Sequence, residues 1–288
     1  MSRIVKPVFL VGCGRSGTTL IYNMMAHHPD FAWFTNWTNR YPRFPQLSLL
    51  QKLPFPDIDL LTRVKPKPDQ EGINIYKHCG IEAIRPNDGN PIGASEVPIH
   101  STECFQKLIS SHLFYQGKRR FLHKNTANSL RVPYLYSIFP DAKFIHIVRD
   151  GRAVALSLTK VKFWQDLNLW WSDETPRDWA ERGGEPAVLA GLHWQREVSA
   201  VLSSLEKLPT EQQYEIRYED FVASPIDSLQ KLIEFCELKW HPQLDLAVKE
   251  RKISNYNSRW SSSINETSLE TVWESIQPTA EKLGYQRI

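Results

Sequence analysis

The chain has 288 residues, of which 41% are hydrophobic and 23% charged, and its formal net charge is +3. A chain of this size can bury a substantial core, and we expect one globular domain over residues 1–288. The small net charge argues against a nucleic-acid partner, and no segment approaches the roughly 18 consecutive apolar residues of a membrane-spanning helix.

Four short runs rich in β-branched and aromatic residues predict strands. They cover residues 7–12, 120–123, 143–148 and 214–218. Helical patterns follow these runs, and strands that alternate with helices indicate a mostly parallel sheet with helices on both faces. In "SPIDSLQKLIEFCEL", Ser224 stands at the N-cap position and Pro225 at the first helical position. We therefore predict a three-layer α/β/α fold with a mostly parallel central sheet.

Two segments interrupt this alternation, at about residues 31–70 and 163–186. The first is rich in prolines and aromatic residues, and the second holds several tryptophans. Long ordered loops of this kind tend to form lids and walls of binding sites on a rigid scaffold. The alternative is that their tryptophans simply complete the hydrophobic core.

The cysteines and the first strand indicate the cellular compartment of the protein. The four cysteines lack Cys-x-x-Cys spacing, which argues against a zinc site or a redox motif and predicts reduced thiols. They are Cys13, Cys79, Cys104 and Cys236. The first apolar run begins by Val8, which leaves no room for a signal peptide. We therefore expect a soluble, cytoplasmic protein.

The stretch "GCGRSGTT", residues 12–19, combines a strand end, a glycine-rich turn and a helix start. Such a turn points several backbone N–H groups and the positive end of a helix dipole at one place, which predicts an anion site. The spacing matches the start of a Walker A loop, but Thr18 replaces its lysine, so Arg15 is the expected cation. The residues predicted to hold the anion are Gly12, Gly14, Arg15, Ser16, Gly17, Thr18 and Thr19.

The stretch "FIHIVRDGRAVALSL" predicts a second anion site. Arg149 ends a buried strand, and Ser157 lies eight positions later, about two turns into a helix. Both side chains can therefore converge on a phosphate away from the first loop. A nucleotide with separate 5′ and 3′ phosphate groups fits these two sites better than a linear triphosphate.

The two motifs together resemble those of sulfotransferases that use 3′-phosphoadenosine 5′-phosphosulfate (PAPS). "HHPDF", "KNTANSLRVPYLYSIFPDAKFIHIVRDGRA" and "IRYEDFVASP" extend the likeness along the chain, and it is nearest to the tyrosylprotein sulfotransferase branch and its bacterial relatives. The resemblance implies a P-loop-like α/β fold, with adenosine 3′,5′-bisphosphate as the nucleotide product. It places the glycine loop on the 5′-phosphosulfate, Arg149 and Ser157 on the 3′-phosphate, and Tyr218 near the adenine. Ser258 and Arg259 would reach over the nucleotide phosphates.

Sulfuryl transfer differs from phosphoryl transfer in the charge of the moving group. That group carries less negative charge, so fixed cations and backbone N–H groups can suffice without a metal ion. Lys124 matches a family lysine beside the sulfonate and the bridging oxygen, and we expect it, with Arg15, to stabilise charge in the transition state.

A general base must also remove the acceptor's proton. In the tyrosylprotein branch a glutamate follows the "HPD" turn, whereas this chain has Thr35 and Asn36 there. The departure weakens the case for protein tyrosine as the acceptor. Our first candidate for the base is Glu96 in "GASEVPIH", followed by His100 and His123.

We therefore predict sulfuryl transfer to a hydroxyl, or less readily an amine, of a small-molecule, glycan, lipid or peptide acceptor, and expect a homodimer. The two aromatic segments should form the acceptor pocket. One alternative is a P-loop kinase, which has the glycine spacing in its favour but lacks the loop lysine. The other is a nucleotide- or protein-binding module that keeps the fold without turnover.

Overall fold

The computed structural model describes residues 2–53, 65–81, 91–251, 253 and 266–287. Within these residues, five strands form one sheet in the order β2-β3-β1-β4-β5. The strands are β1 Val8–Val11, β2 Phe31–Ala32, β3 Arg120–Lys124, β4 Lys143–Val148 and β5 Gln213–Arg217. All neighbouring pairs are parallel. The predicted parallel α/β fold is confirmed.

Helices cover both faces of the sheet. The α-helices are α1 Thr18–Met25, α2 Asn36–Arg40, α3 Ile73–His78, α4 Ile99–Gln116, α5 Val132–Ile138, α6 Gly151–Thr159, α7 Pro176–Glu181, α8 Pro186–Leu205, α9 Tyr218–Ala223, α10 Pro225–Phe235, α11 Gln243–Glu250 and α12 Glu266–Lys282. Short 3₁₀ helices cover Pro45–Lys52, Ala94–Glu96, Thr126–Leu130, Lys162–Trp164 and Thr210–Gln212.

The side chains of β1 show how the three layers form. Phe9 and Val11 pack into a core shared with α4, α5 and the end of α8. Val8 and Leu10 point the other way, into a core shared with α1, α10 and α11. Alternate residues of a strand face opposite sides of the sheet, so an uninterrupted apolar strand is suited to burial on both faces.

The predicted elements match the structure best where the sequence carries clear start signals. Helix α10 begins at Pro225 with Ser224 at its N-cap, as predicted. The segments at 31–70 and 163–186 are less irregular than predicted, because they contain β2, α2, α7 and short 3₁₀ helices. Strand β2 is only two residues long, too short for a period-2 pattern to indicate it.

The prediction of four reduced cysteines is wrong for two of them. Cys79 and Cys104 form a disulfide with their Cα atoms 5.5 Å apart, which joins the end of α3 to α4. Their 25-residue separation follows no motif, and only the packing of the two helices brings them together. Cys13 and Cys236 are free and buried. Among the described helices, none has the length and apolar character that crossing a membrane requires.

Candidate active site

A cleft of about 650 Å³ lies at the carboxyl ends of β1, β3 and β4. This edge of a parallel sheet is where open α/β folds bind their ligands. The basic side chains that line the cleft are Arg15, Lys124, Arg131, Arg149 and Arg251, and the acidic ones are Glu71 and Glu197. Because the basic groups outnumber the acidic ones, the cleft suits an anionic ligand.

The glycine loop, residues 12–19, has the backbone of an anion site. Gly12 has φ +144°, and a Cβ there would lie 2.4 Å from the carbonyl oxygen of Ile147. Gly17 has φ +88°, and a Cβ there would lie 2.3 Å from the Tyr218 ring. Both positions therefore require glycine, for conformation and for space. Between them, Arg15 also adopts a left-handed conformation, with φ 70°.

The loop has donor capacity that an anion would satisfy. Gly17 is the N-cap of α1, no side chain caps the helix, and its first turn contains no acidic residue. The first N–H groups of a helix need such a partner. The buried Ser16 hydroxyl also has no hydrogen-bond partner within the described residues. Thr18 and Thr19 line the cleft beside these groups. The residues present therefore fit a phosphate or sulfate group.

The structure brings the two predicted anion motifs into direct contact. The Arg15 Nε donates a hydrogen bond to the Ser157 Oγ at 3.0 Å. The Arg149 Nη1 donates to the Arg15 carbonyl oxygen at 3.1 Å. The Arg149 guanidinium lies 4.5 Å from the centre of the Tyr218 ring. Burial lowers the pKa of Arg149, so a bound anion would offset part of the lost hydration of this cation.

The residues after Arg149 explain why it faces the loop. Asp150 is the N-cap of α6 and accepts a hydrogen bond from the Arg152 N–H at 2.9 Å. Its carboxylate also accepts from the Arg152 side chain at 3.0 and 2.8 Å. Arg152 in turn lies 4.8 Å from the Trp273 ring centre. This capping arrangement holds Asp150 and Arg152 in the interior and leaves Arg149 at the cleft.

Lys124 lies at the end of β3, is almost completely buried and lines the cleft. It forms an ion pair with Glu71, a residue that no sequence motif indicates. The other Glu71 oxygen accepts a hydrogen bond from the Thr126 N–H at 3.0 Å. Asn125 donates to the Glu71 carbonyl oxygen at 2.6 Å. Among the described residues, Glu71 therefore supplies the carboxylate that contacts Lys124, the candidate catalytic residue.

A turn at Asp69 holds Glu71 in this place. The Asp69 Oδ1 accepts hydrogen bonds from the Glu71 N–H at 3.2 Å and the Gly72 N–H at 2.7 Å. Gly72 adopts φ +60° and begins α3. An Asp followed three residues later by a Gly before a helix is the one sequence signal for this turn. It does not reveal that the glutamate reaches Lys124.

The second aromatic segment forms one wall of the cleft, through Phe163, Leu167, Asn168 and Trp170. Trp164 instead lies in the core, so both roles proposed for the tryptophans occur. The first segment contributes Gln70, and its residues 54–64 lie outside the described part of the chain. Helix α8 adds His193 and Glu197, which the sequence analysis also missed.

A family model for the sulfotransferase family matches residues 7–242. The chain belongs to the sulfotransferase family. The family predicted from the two anion motifs is thereby confirmed.

The chain is similar to several proteins that are named as sulfotransferases. The chain is 24% identical over 272 residues to omega-hydroxy-beta-dihydromenaquinone-9 sulfotransferase Stf3 of Mycobacterium bovis, covering 79% of the chain and 62% of Stf3. It is 21% identical over 302 residues to protein-tyrosine sulfotransferase A of Caenorhabditis elegans, covering 96% of the chain and 67% of that protein. The crystal structure of sulfotransferase STF9 from Mycobacterium avium aligns with a TM-score of 0.63 at 14% identity, over 99% of the chain and 78% of STF9.

The three bases predicted for this sulfotransferase are not among the described residues that line the cleft. Glu96 is exposed and accepts hydrogen bonds from the Gly93 N–H at 2.9 Å and the Ser95 hydroxyl at 3.2 Å. His100 is exposed at the start of α4. His123 is buried in β3 among aromatic rings, and burial lowers its pKa to about 3. Two other predicted residues, Ser258 and Arg259, lie outside the described residues.

Proposed function

We propose that this chain transfers a sulfuryl group from PAPS to a hydroxyl group of an acceptor and releases adenosine 3′,5′-bisphosphate. The contact between Arg15 and Ser157 is the observation that carries this proposal. It joins the glycine loop to the motif on α6, and Arg149 bridges them through the Arg15 carbonyl oxygen. A ligand with two separate anionic groups would engage both motifs together.

Each motif has a role in donor binding under this proposal. The glycine loop binds the 5′-phosphosulfate through its N–H groups, Thr18, Thr19 and Arg15. Arg149 and Ser157 bind the 3′-phosphate. Tyr218 supports both regions, because its ring packs on Gly17 and under Arg149. The contacts of Ser258 and Arg259 with the nucleotide stay predictions.

Lys124 and Glu71 supply the chemistry of the transfer. The donor provides the sulfuryl group and a phosphate as leaving group. Glu71 accepts the proton of the acceptor hydroxyl as the new S–O bond forms. Lys124 stabilises the negative charge that develops on the departing phosphate oxygen. Their ion pair places both groups at one point of the cleft, and we therefore prefer Glu71 over Glu96, His100 and His123 as the base.

The acceptor class is also part of the proposal. The names of two relatives specify a hydroxylated menaquinone and a protein tyrosine, which favours a hydroxyl acceptor over an amine. The chain covers 62% of the length of Stf3, so the acceptor is not transferred from that protein. One catalytic domain over residues 1–288, metal independence, a homodimer and a cytoplasmic location stay predictions. The Cys79–Cys104 disulfide is more typical of an oxidising compartment.

Calorimetric binding of adenosine 3′,5′-bisphosphate and of ATP, each with and without Mg²⁺, tests the proposal. We expect the bisphosphate to bind more tightly than ATP and independently of Mg²⁺. Arg149→Ala should weaken that binding, whereas Arg177→Ala, which changes an exposed arginine paired with Asp166, should not. Preference for ATP with Mg²⁺ would instead support a kinase and overturn the proposal.

A further inference from the structure

Two titratable side chains in the cleft have no part in the proposed reaction. His193 and Glu197 lie one turn apart on α8 and line the cleft. They are 8% and 7% exposed. Charged residues are rarely buried to this extent without an ionic partner.

Two adjacent tryptophans hold these side chains in place. The Trp170 Nε1 donates a hydrogen bond to the Glu197 Oε1 at 2.7 Å. The Trp171 Nε1 donates to the His193 Nδ1 at 3.3 Å. An indole can only donate, so His193 accepts at Nδ1 and carries its proton at Nε2. Burial lowers the pKa of His193 to about 4, so it is neutral and supplies no charge to Glu197 at neutral pH.

Glu197 has a second oxygen that the tryptophan leaves available. No described side chain donates a hydrogen bond to its Oε2, and no described lysine or arginine forms an ion pair with Glu197. The Oε2 atom is partly accessible from the cleft. Burial raises the pKa of Glu197 to about 7. A buried carboxylate without an ionic partner is stabilised most by a group that carries positive charge.

The negative charge of Glu197 does not suit binding of the donor. PAPS is anionic, and the basic groups at the glycine loop and Arg149 suit it, whereas a carboxylate repels it. The segment that supplies Trp170 also supplies the apolar side chains of Phe163 and Leu167 to the cleft wall. An apolar wall beside an unpaired acid fits an acceptor with an apolar body and a cationic group.

We propose that Glu197 determines acceptor specificity by binding an ammonium group of the acceptor through its Oε2. This inference rests on the proposed sulfotransferase function and adds the chemical class of its acceptor. The sulfated hydroxyl lies at Glu71 and Lys124, and the ammonium group lies at the α8 wall, so one acceptor carries both groups. Trp170 fixes the carboxylate for this contact and thereby limits the conformational entropy lost on binding.

Three phenols that differ only at the end remote from the hydroxyl test this assignment. Tyramine carries an ammonium group, 4-ethylphenol carries no charge, and 3-(4-hydroxyphenyl)propanoate carries a carboxylate. Their dissociation constants are measured by calorimetry on protein saturated with adenosine 3′,5′-bisphosphate. We expect tyramine to bind about tenfold more tightly than 4-ethylphenol, the order expected for one hydrogen bond to a charged group. The propanoate should bind most weakly.

Glu197→Gln isolates the charge, because glutamine keeps an oxygen for the Trp170 N–H and nearly the same shape. We expect this variant to lose the preference for tyramine and to bind the bisphosphate as the wild type does. Glu206→Gln is the matched control, since Glu206 follows the same helix and its side chain is 62% exposed. It should keep the preference.

Several results would overturn the assignment. Equal binding of tyramine and 4-ethylphenol by the wild type would do so, as would no binding of any phenol. In Glu197→Gln, a preference for tyramine that persists, or an equal loss of affinity for all three phenols, would also overturn it. Failure of the proposed function gives a different result, because the wild-type protein would then prefer ATP with Mg²⁺, or would bind the bisphosphate without transferring labelled sulfate to any of the phenols.

Discussion

Two glycines of the glycine loop differ in what their backbone requires. Gly17 has φ +88° and a Cβ there would enter the Tyr218 ring, whereas a Cβ at Gly14 would meet nothing within 4 Å. We expect Gly17→Ala to lower the free energy of unfolding by about 1–3 kcal/mol, because strain and overlap combine. Gly14→Ala should change it by less than about 0.5 kcal/mol. Urea denaturation of both variants measures the difference, and equal stabilities would contradict this account of the loop.

Lys124 and Glu71 should affect turnover more than donor binding. We expect Lys124→Ala to lower sulfuryl transfer to tyramine about 10²–10³-fold, as removal of a preorganised charge does. Glu71→Gln should lower it about 10²–10⁴-fold, because the amide keeps the hydrogen-bonding shape but cannot accept the proton. Transfer of labelled sulfate at saturating donor measures both effects.

The matched control for Glu71 is Glu96→Gln, since Glu96 is exposed and outside the cleft lining. It should keep full turnover. If Glu96→Gln lost activity and Glu71→Gln kept it, the first base suggested by the sequence would replace the one suggested by the structure.

Three of the cationic site residues that the sequence predicted lie close to a strand end. Arg15 follows β1, Lys124 ends β3 and Arg149 follows β4, and the carboxyl ends of parallel strands meet at one edge. Glu71 and Glu197 could not be found in this way. Glu71 reaches Lys124 through the turn at Asp69, and Glu197 reaches the cleft through the packing of α8. Only tertiary structure gives either position.

The Cys79–Cys104 disulfide anchors the helix that follows the turn holding Glu71. Helix α3 directly follows the turn that holds Glu71, and Cys79 caps its end. In the chain-entropy model, closing a loop of this length stabilises a protein by about 3.5 kcal/mol. We expect a reductant to lower the free energy of unfolding of the wild type by roughly this amount, measured by urea denaturation.

The Cys79→Ser/Cys104→Ser double variant is the control for this prediction. It should be less stable than the oxidised wild type and should not respond to reductant. A wild-type protein whose unfolding curve is unchanged by reductant would show that the two thiols are not joined in solution.

Helices and strands that are long, or that begin with a clear capping signal, are predicted more accurately than short ones. The six residues of β4 are apolar enough to be predicted with correct bounds, and α10 starts where Ser224 and Pro225 indicate. By contrast, α2 and α7 have five and six residues. Periodicity needs several turns to appear, so the sequence does not predict these two helices.

Buried ionisable groups make the free energy of unfolding depend on pH, and the histidines act in the opposite direction to Glu197. Burial lowers the pKa of His112 and His193 to about 4 and that of His123 to about 3. Below pH 6.5 the unfolded chain therefore binds protons that the folded chain does not, and stability falls as the pH falls. Glu197 acts oppositely: its pKa is raised to about 7, so its contribution is present at low pH and is lost as the pH rises through 7.

Burial also lowers the pKa of His28 and raises that of Asp69. Because four histidines then oppose two carboxyl groups, we expect the free energy of unfolding to fall as the pH is lowered from 6.5 to 4.5. Each group contributes a slope of at most about 1.4 kcal/mol per pH unit. His123 offers a clean test, because neither ring nitrogen has a hydrogen-bond partner within the described residues and the rings of Phe34 and Tyr76 surround it. His123→Phe should reduce the slope by up to about 1.4 kcal/mol per pH unit, the contribution of one proton. His100→Gln, at an exposed position, should leave the slope unchanged. Urea denaturation across this pH range measures the slope, and an unaltered slope in His123→Phe would mean that this histidine is not held neutral by the fold.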